Sequence, residues 1–446
     1  MNPQPTTRYA WYVVFVLTLA NISSFIDRQI LSLLVGPIKR DLDLSDTQMS
    51  LLMGISFAIF YTIFGMIIGR FADKYSRRNI IIVGITVWSL MTTLCGGIRT
   101  YGQFFLMRMG VGVGEGTLSP SAYSMITDYF PKNKLATAMS VFTLGIFLGS
   151  GLALVVGAGI ISQLPTSGMI DLPILGTVYP WQIIFIYIGF PGLLIALLMF
   201  TVKEPTRKDV LMKGDEVAQI SFAEAIKIIF THKKAYFLVS IGIAFTAMVS
   251  YGGNAWIPTY FVRTFGWSIP RAGVGFGMVL VIFSILGVLF GGWLGDYLCK
   301  KGIVNGKIWV GVIATIGAIF SSLIPQISNP EIALICFGIP CFFVSSPMGA
   351  ATAAIQEIMP NQVRALASSI FLFILNIIGL GIGPTMVALF TDFVFHDEKA
   401  IKDSISLLYL IGGILGVICL YTALKPYEKA LNVDNNIVET GESIFN

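Results

Sequence analysis

Four ionisable side chains stand where the surrounding chain is too apolar to solvate them: Asp27 and Arg28 in the first apolar run, Arg108 and Glu115 in the fourth. A charge at membrane depth costs several kcal/mol and by default marks a functional site. Arg108 and Glu115 are seven residues apart, two helical turns, so they share a face with about 10 Å between them along the axis. Asp27 and Arg28 are neighbours and project about 100° apart. Both can border a cavity, but they cannot face one point. Glu115 sits among Gly110, Gly112, Gly114 and Gly116, where solvation is poor, and it or Asp27 is suited to taking up and releasing a proton. Arg108 is suited to pairing with a carboxylate when the site is empty and with an anionic head group when it is loaded. The plainer reading is a static ion network that locks one helix to another. A network that only adds stability is often no better than apolar packing, which favours the functional reading.

These charges take their meaning from the elements that carry them. The chain has 446 residues, 55% of them apolar before its 46 glycines are counted, and only 12% charged. Soluble domains carry about 25% charged residues, so this composition cannot cover soluble surfaces and reads as a membrane protein. Runs of the roughly 20 apolar residues a spanning helix needs fall near 10–35, 48–70, 79–99, 102–127, 135–161, 181–201, 236–262, 272–295, 307–325, 331–355, 365–393 and 405–424. The alternating polarity of barrel strands is not visible. Met1 to Arg8 is short and polar with no small-residue cleavage site after the first run, so that run is expected to remain a helix.

The polar stretch Lys203–Lys234 divides the runs six and six. The expected fold is an all-α membrane protein of twelve transmembrane helices in two six-helix pseudo-symmetric bundles. Its expected parts are an N-terminal bundle at 1–202, a cytoplasmic linker at 203–235, a C-terminal bundle at 236–430 and a cytoplasmic tail at 431–446. With both termini placed inside, twenty lysines and arginines fall in inside segments against seven outside, the bias that sets topology. Short termini and loops point to a bacterial inner membrane.

Several chemistries are excluded. The two histidines, His232 and His396, lie in polar stretches, so no histidine metal site or proton relay is expected. The five cysteines show no CxxC pairing, and Cys336 and Cys341 read as packing residues. No basic stripe with interleaved aromatics points to nucleic acid. The glycines at 110–116 do not form GxGxxG, since Thr117 stands where the last glycine would be. No phosphate-binding GxxxxGK[ST] loop points to ATP hydrolysis, and no nucleophile motif suggests an enzyme.

The second and eighth runs end alike. Gly69-Arg70-Phe71-Ala72-Asp73 precedes Arg77-Arg78, and Gly292-Trp293-Leu294-Gly295-Asp296 precedes Lys300-Lys301, at an offset of 223 residues. The exits of the fourth and tenth runs also correspond, Asp128-Tyr129-Phe130-Pro131 with Glu357-Ile358-Met359-Pro360. Such duplication is common in secondary transporters. In the repeated element the glycine is expected to let a neighbouring helix approach, the acid to meet that neighbour's N-terminus, and the basic pair to anchor the loop. Gly69, Asp73, Arg77, Arg78, Gly292, Asp296 and Lys300 are thus the expected cytoplasmic gate.

Gly69 to Arg78 resembles the signature loop of the major facilitator superfamily, and the whole chain fits that fold. Within it, Asn21-Ile22-Ser23-Ser24-Phe25-Ile26-Asp27-Arg28, the stretch from Arg108 through Glu115 to Pro120, Gly149-Ser150-Gly151-Leu152 and Asn254-Ala255-Trp256-Ile257-Pro258 resemble the spinster-type subgroup. The resemblance implies that Asp27 and Glu115 couple protons and that Arg28 and Arg108 control substrate. Tyr251, Asn254, Trp256 and Asn376 are further expected substrate contacts, with packing as the competing role.

The resemblance also implies an amphiphilic anionic substrate, a lysophospholipid or sphingoid phosphate, moved by proton-coupled alternating access. The alternative is a water-soluble organic anion of sugar-acid type in proton symport. No cofactor is expected. The expected partners are the small-molecule or lysolipid substrate, protons and the bilayer, with the chain a monomer.

Overall fold

The computed structural model describes residues 7–165, 167–172, 176–206, 222–360 and 363–440. A few side chains within those helices, Asp73 among them, fall outside the described set. So do residues 207–221 of the expected linker and the last residues of the expected tail (441–446). The first nine helices are α1 (Thr7–Gln29), α2 (Leu31–Leu42), α3 (Asp46–Met53), α4 (Ile55–Lys74), α5 (Arg77–Leu94), α6 (Tyr101–Glu115), α7 (Leu118–Tyr129), α8 (Lys132–Ile161) and α9 (Pro180–Met199). Local chemistry sets their starts. Ser45 caps α3 in a reciprocal exchange with Gln48, Thr100 does the same with Gln103 at α6, and Ser76 caps α5. Each fills N–H groups that a helix start leaves open.

The chain continues through α10 (Phe222–Thr231), α11 (Lys233–Phe265), α12 (Ile269–Lys300) and α13 (Gly306–Ser321). Shorter helices between Pro330 and Leu389 follow, with a widened π-type turn at Asn376–Ile382, before the closing helix Ile401–Thr440. Among the described residues, eleven helical segments are long and apolar enough to cross a bilayer. The expected span at 102–127 is instead two helices, α6 and α7, parted at Gly116–Thr117. Pro120 has no N–H for the carbonyl four residues back, and the Thr117 hydroxyl turns onto the Gly114 carbonyl at 2.8 Å. One small exception to the helical architecture is an antiparallel pair of three-residue strands, Ile170–Leu172 and Gly176–Val178.

Large apolar side chains lie outermost: Leu197 is 63% exposed, Leu289 66% and Phe320 67%. Water would reject that surface, while acyl chains accept it.

Residue contacts gather the chain into two units. One comprises Met1–Val210, Asn254–Val281 and Ala388–Ile401; the other comprises Leu211–Gly253, Ile282–Val387 and Lys402–Asn446. In the first unit, Asn21 on α1 donates to the Phe142 carbonyl of α8 at 2.9 Å. The α6 glycines lie hard against their neighbours. A Cβ at Gly112 would fall 2.6 Å from the Phe57 carbonyl oxygen of α4, and one at Gly114 would fall 2.7 Å from the Trp88 nitrogen of α5. Close helix packing therefore accounts for the glycine run. The second unit closes around Tyr236, Ile308, Ile355, Phe371, Leu420 and Tyr427, and the Tyr236 hydroxyl donates to the Ala367 carbonyl at 2.6 Å.

Candidate functional site

The four buried charges converge inside the first unit. Asp27, Arg108 and Glu115 are each 1% exposed. Glu115, at the end of α6, accepts through Oε2 from Arg28 Nε at 2.6 Å and from the Ser24 hydroxyl. The ion pair therefore joins α1 to α6. The guanidinium of Arg28 lies 4.6 Å from the Phe25 ring centroid, 4.6 Å from that of Phe57 and 4.4 Å from that of Tyr61. Asp27 turns away toward α5, as the 100° between adjacent helical residues requires, and accepts from the Thr92 hydroxyl at 3.2 Å.

Arg108 departs from its expected role. It donates to two main-chain carbonyls, Leu52 at 3.3 Å and Asp27 at 3.4 Å, and to no carboxylate among the described residues. The arginine paired with a carboxylate is Arg28, whose side chain is 11% exposed. Arg28 is therefore the one of the two cations with a surface to offer a substrate. Spare capacity remains beside them: Asp27 Oδ1, Glu115 Oε1, Arg108 Nη2, Trp88 Nε1 and Ser89 Oγ have no hydrogen-bond partner. Buried polar groups are ordinarily satisfied, so these unpaired atoms set this part of the first unit apart.

The remaining expected site residues divide. Asn254 is partly buried, and its carbonyl accepts from Gln29 at 2.9 Å. Trp256 is fully buried, with the Arg263 guanidinium 5.8 Å from its ring, a packing position. In the second unit, Tyr251 and Asn376 are both partly buried. Tyr251 lies alongside Gly379, within the turn that Asn376 begins.

At the expected gate, Arg77 is 1% exposed. It binds Asp128, Glu204 Oε1 at 2.8 Å, the Ser124 hydroxyl at 2.8 Å and the Pro205 carbonyl at 3.2 Å. The acid that meets the α5 N-terminus is Glu204, which accepts from the Arg78 N–H at 2.8 Å and the Ser76 hydroxyl at 3.0 Å. Burial alone would raise the Glu204 carboxyl. The Arg78 N–H, the Arg77 guanidinium and the Ser76 hydroxyl outweigh it and hold the group below the usual glutamate range. The corresponding pair in the second unit is Lys307 with Glu357, which also accepts from the Tyr427 hydroxyl at 2.9 Å.

The glycines of the repeated element do not serve close approach. A Cβ at Gly69 would make only an ordinary 3.9 Å contact with Pro120, and one at Gly292 would meet nothing within 4 Å. In the second copy the tight glycine is Gly291, one residue earlier, against the Ser346 carbonyl.

Sequence reasoning missed a second ionic cluster. Asp46, fully buried at the start of α3, accepts from Lys39 and, through both oxygens, from Arg263 at 2.6 and 2.7 Å. Glu398 meets Lys39 at 2.8 Å and Arg263 at 3.3 Å. Asp392 accepts from the Thr47 N–H at 2.8 Å and its hydroxyl at 2.7 Å. Their signal in the sequence is weak, because acids and bases near the ends of apolar runs are ordinary. The aromatic partners of Arg28 were missed as well, because aromatic residues in apolar runs carry no distinguishing signal.

Among the described residues, eleven helical segments long and apolar enough to cross a bilayer, with a small set of paired charges inside the first unit, define a multi-pass membrane protein. Residues 17–384 match the family described as Major Facilitator Superfamily, and the chain belongs to that superfamily, a transporter and not an enzyme. It is 27% identical over 425 residues to an MFS-type efflux pump of Mycolicibacterium smegmatis, covering 95% of this chain and 94% of that one. It is 26% identical over 425 residues to the hexuronate transporter of Bacillus subtilis, covering 91% and 95%. Among solved structures it is similar to a bacterial homologue of the human lysosomal transporter spinster in an inward-facing, unoccupied conformation. That likeness has a TM-score of 0.77 and 24% identity, with 97% and 99% of the two chains covered.

Proposed function

We propose that this protein is a proton-coupled secondary transporter working by alternating access, and that it moves an amphiphilic anion of the lysophospholipid or sphingoid phosphate type. The observation that carries the reading is the Arg28–Glu115 pair, buried in an apolar bundle beside Asp27 and backed by polar atoms with unused bonding capacity. An anionic head group that reaches Arg28 competes with Glu115 for the guanidinium. Glu115, released from its cation, then takes a proton. Substrate and proton thus become linked through one shared partner. The lipid class rests on the spinster-type motifs of the sequence, and the fold is shared with a spinster homologue.

A sugar acid is the second reading, favoured by the end-to-end similarity to a hexuronate transporter. Both substrates present an anion to the same arginine. They differ in whether an acyl chain must be accommodated.

The reading further places twelve helices in two pseudo-symmetric bundles, α6 and α7 together forming the fourth span. The matched pairs Arg77–Asp128 and Lys307–Glu357 support it. Both termini lie in the cytoplasm by the lysine and arginine bias. The gate residues around Arg77 then face the cytoplasm and the Asp46 cluster faces outward. The bacterial inner membrane is the proposed location and the monomer the proposed working form.

The test is uptake of radiolabelled lysophosphatidate and of radiolabelled D-glucuronate into proteoliposomes, with protein-free vesicles as the control for leak. Saturable lysophosphatidate uptake lost in Arg28→Gln supports the first reading, and uptake of D-glucuronate alone replaces it with the second.

A further inference from the structure

Phe57 is fully buried, yet it lies against both arginines of the site: the Arg28 guanidinium is 4.6 Å from its ring centroid and that of Arg108 5.4 Å. Tyr61, one turn further along α4, stacks on it at 5.2 Å with 19° between the planes and takes the Arg28 guanidinium at 4.4 Å. Phe25, three residues before Arg28 on α1, supplies a third ring at 4.6 Å. Three rings around one guanidinium, away from water, hold a cation more firmly than the exposed contact usually found on protein surfaces.

The backbone geometry shows what keeps these rings in place. A Cβ at Gly112 would fall 2.6 Å from the Phe57 carbonyl oxygen, and a Cβ at Gly116 would fall 2.8 Å from that of Tyr61. The helix that carries Glu115 is therefore keyed to α4 at the two residues whose rings hold Arg28. Ring, cation and carboxylate are set in one register by glycine contacts.

We propose that Phe57 is a positioning residue for transport: its ring, with those of Phe25 and Tyr61, forms an aromatic seat that holds Arg28 against Glu115 until an anion draws the guanidinium away. This rests on the reading that Arg28 exchanges Glu115 for substrate. Phe57 itself touches no substrate. Its action is on the readiness of Arg28 to change partner.

The experiment places phenylalanine analogues with one, two and three ring fluorines at position 57, which weakens the ring's attraction for a cation with little change of shape. Phe57→Leu serves as the ring-free variant, and the same fluorinated analogues placed at Phe371, in the second unit, serve as the control. Release of Arg28 is read as the rate of its modification by phenylglyoxal, followed by mass spectrometry of the Arg28 peptide in purified protein. The same proteins are assayed for the pH profile of proton movement evoked by lysophosphatidate and by D-glucuronate.

The seat predicts a modification rate that rises stepwise with fluorination to on the order of tenfold, the range a desolvated cation–π contact commands. It also predicts an altered pH profile across the series and a wild-type rate when the analogues stand at Phe371. An unchanged rate across the fluorinated series overturns the proposal even where both probes are transported. A graded rate with neither probe evoking proton movement would keep the seat and remove the transport reading beneath it.

Discussion

Arg28 and Glu115, 87 positions apart in the chain, meet at 2.6 Å inside the first unit, with Glu115 fully screened from solvent. Glu115 has no water to fall back on and Arg28 has little, so each depends on the other. Removing one partner of a buried pair typically costs about 3–5 kcal/mol, because the other charge is left uncompensated. Glu115→Gln should lower the melting temperature of the purified protein markedly, and Arg28→Gln added to it should recover much of the loss. Asp27→Asn should cost far less, since among the described residues the Asp27 carboxylate accepts only a hydroxyl at 3.2 Å, and Arg108 reaches its main-chain carbonyl, which the substitution keeps. Thermal unfolding of the four variants in detergent or nanodiscs checks this. Equal losses in Asp27→Asn and Glu115→Gln would contradict the geometry.

The Asp46 cluster offers an internal contrast. Arg263 reaches Asp46 through both guanidinium nitrogens, and Asp46 is fully buried, whereas the Glu398 side chain is 63% exposed. Arg263→Gln should destabilise by several kcal/mol. Glu398→Gln should cost less than about 1 kcal/mol, as exposed pairs do. A melt series on both variants at low and high salt reads the difference, and only the Glu398 effect should fade as salt rises.

Glu204 makes a pH-dependent contribution whose sign follows from its surroundings. Its carboxyl is held below the ordinary range when folded, so its stabilisation is fully present above the unfolded value of about 4.3. The contribution is lost as pH falls through the lower folded value. Wild type should therefore melt above Glu204→Gln by a constant margin at neutral pH, and the margin should close in acid. A margin that instead grew below pH 4 would mean the carboxyl is not held by Arg77 and the α5 N-terminus.

The α6 glycines differ in what a methyl group would meet. At Gly110 the obstacle is the flexible end of Met91, at 2.7 Å, while at Gly112 it is the Phe57 main-chain carbonyl, at 2.6 Å. A side chain can move aside and a helix backbone cannot without moving the helix. Gly110→Ala should be tolerated, and Gly112→Ala should lose both stability and transport. Matched expression, melting and uptake measurements on the two variants decide it.

What was legible in the sequence follows a pattern. Apolar runs long enough to cross a bilayer are visible because composition alone carries them, and among the described residues eleven of the expected spans match helical segments long and apolar enough to do so. The break at Gly116–Thr117 depends on Pro120 and a hydroxyl turning back on the chain, which run length does not reveal. The four buried charges stood out because such residues are rare in apolar runs. Their pairing did not, since Arg28 and Arg108 are chemically alike and only the packed helices decide which one reaches Glu115. Asp46 was hidden for another reason: an acid just after a serine cap is an ordinary helix start, and its partner Arg263 lies 217 positions away. At Gly69 and Gly292 the motif was visible but its expected physical role was not found, because neither position is crowded.

The central claim is that the carboxylates beside Arg28 exchange protons as substrate moves. The most direct measurement is the internal pH of proteoliposomes carrying a pH-sensitive dye, with lysophosphatidate or D-glucuronate added outside, in wild type, Asp27→Asn and Glu115→Gln. The account predicts a substrate-evoked pH change in wild type that is lost in at least one carboxylate variant while that variant still binds the probe. Unaltered pH traces in both variants would contradict it.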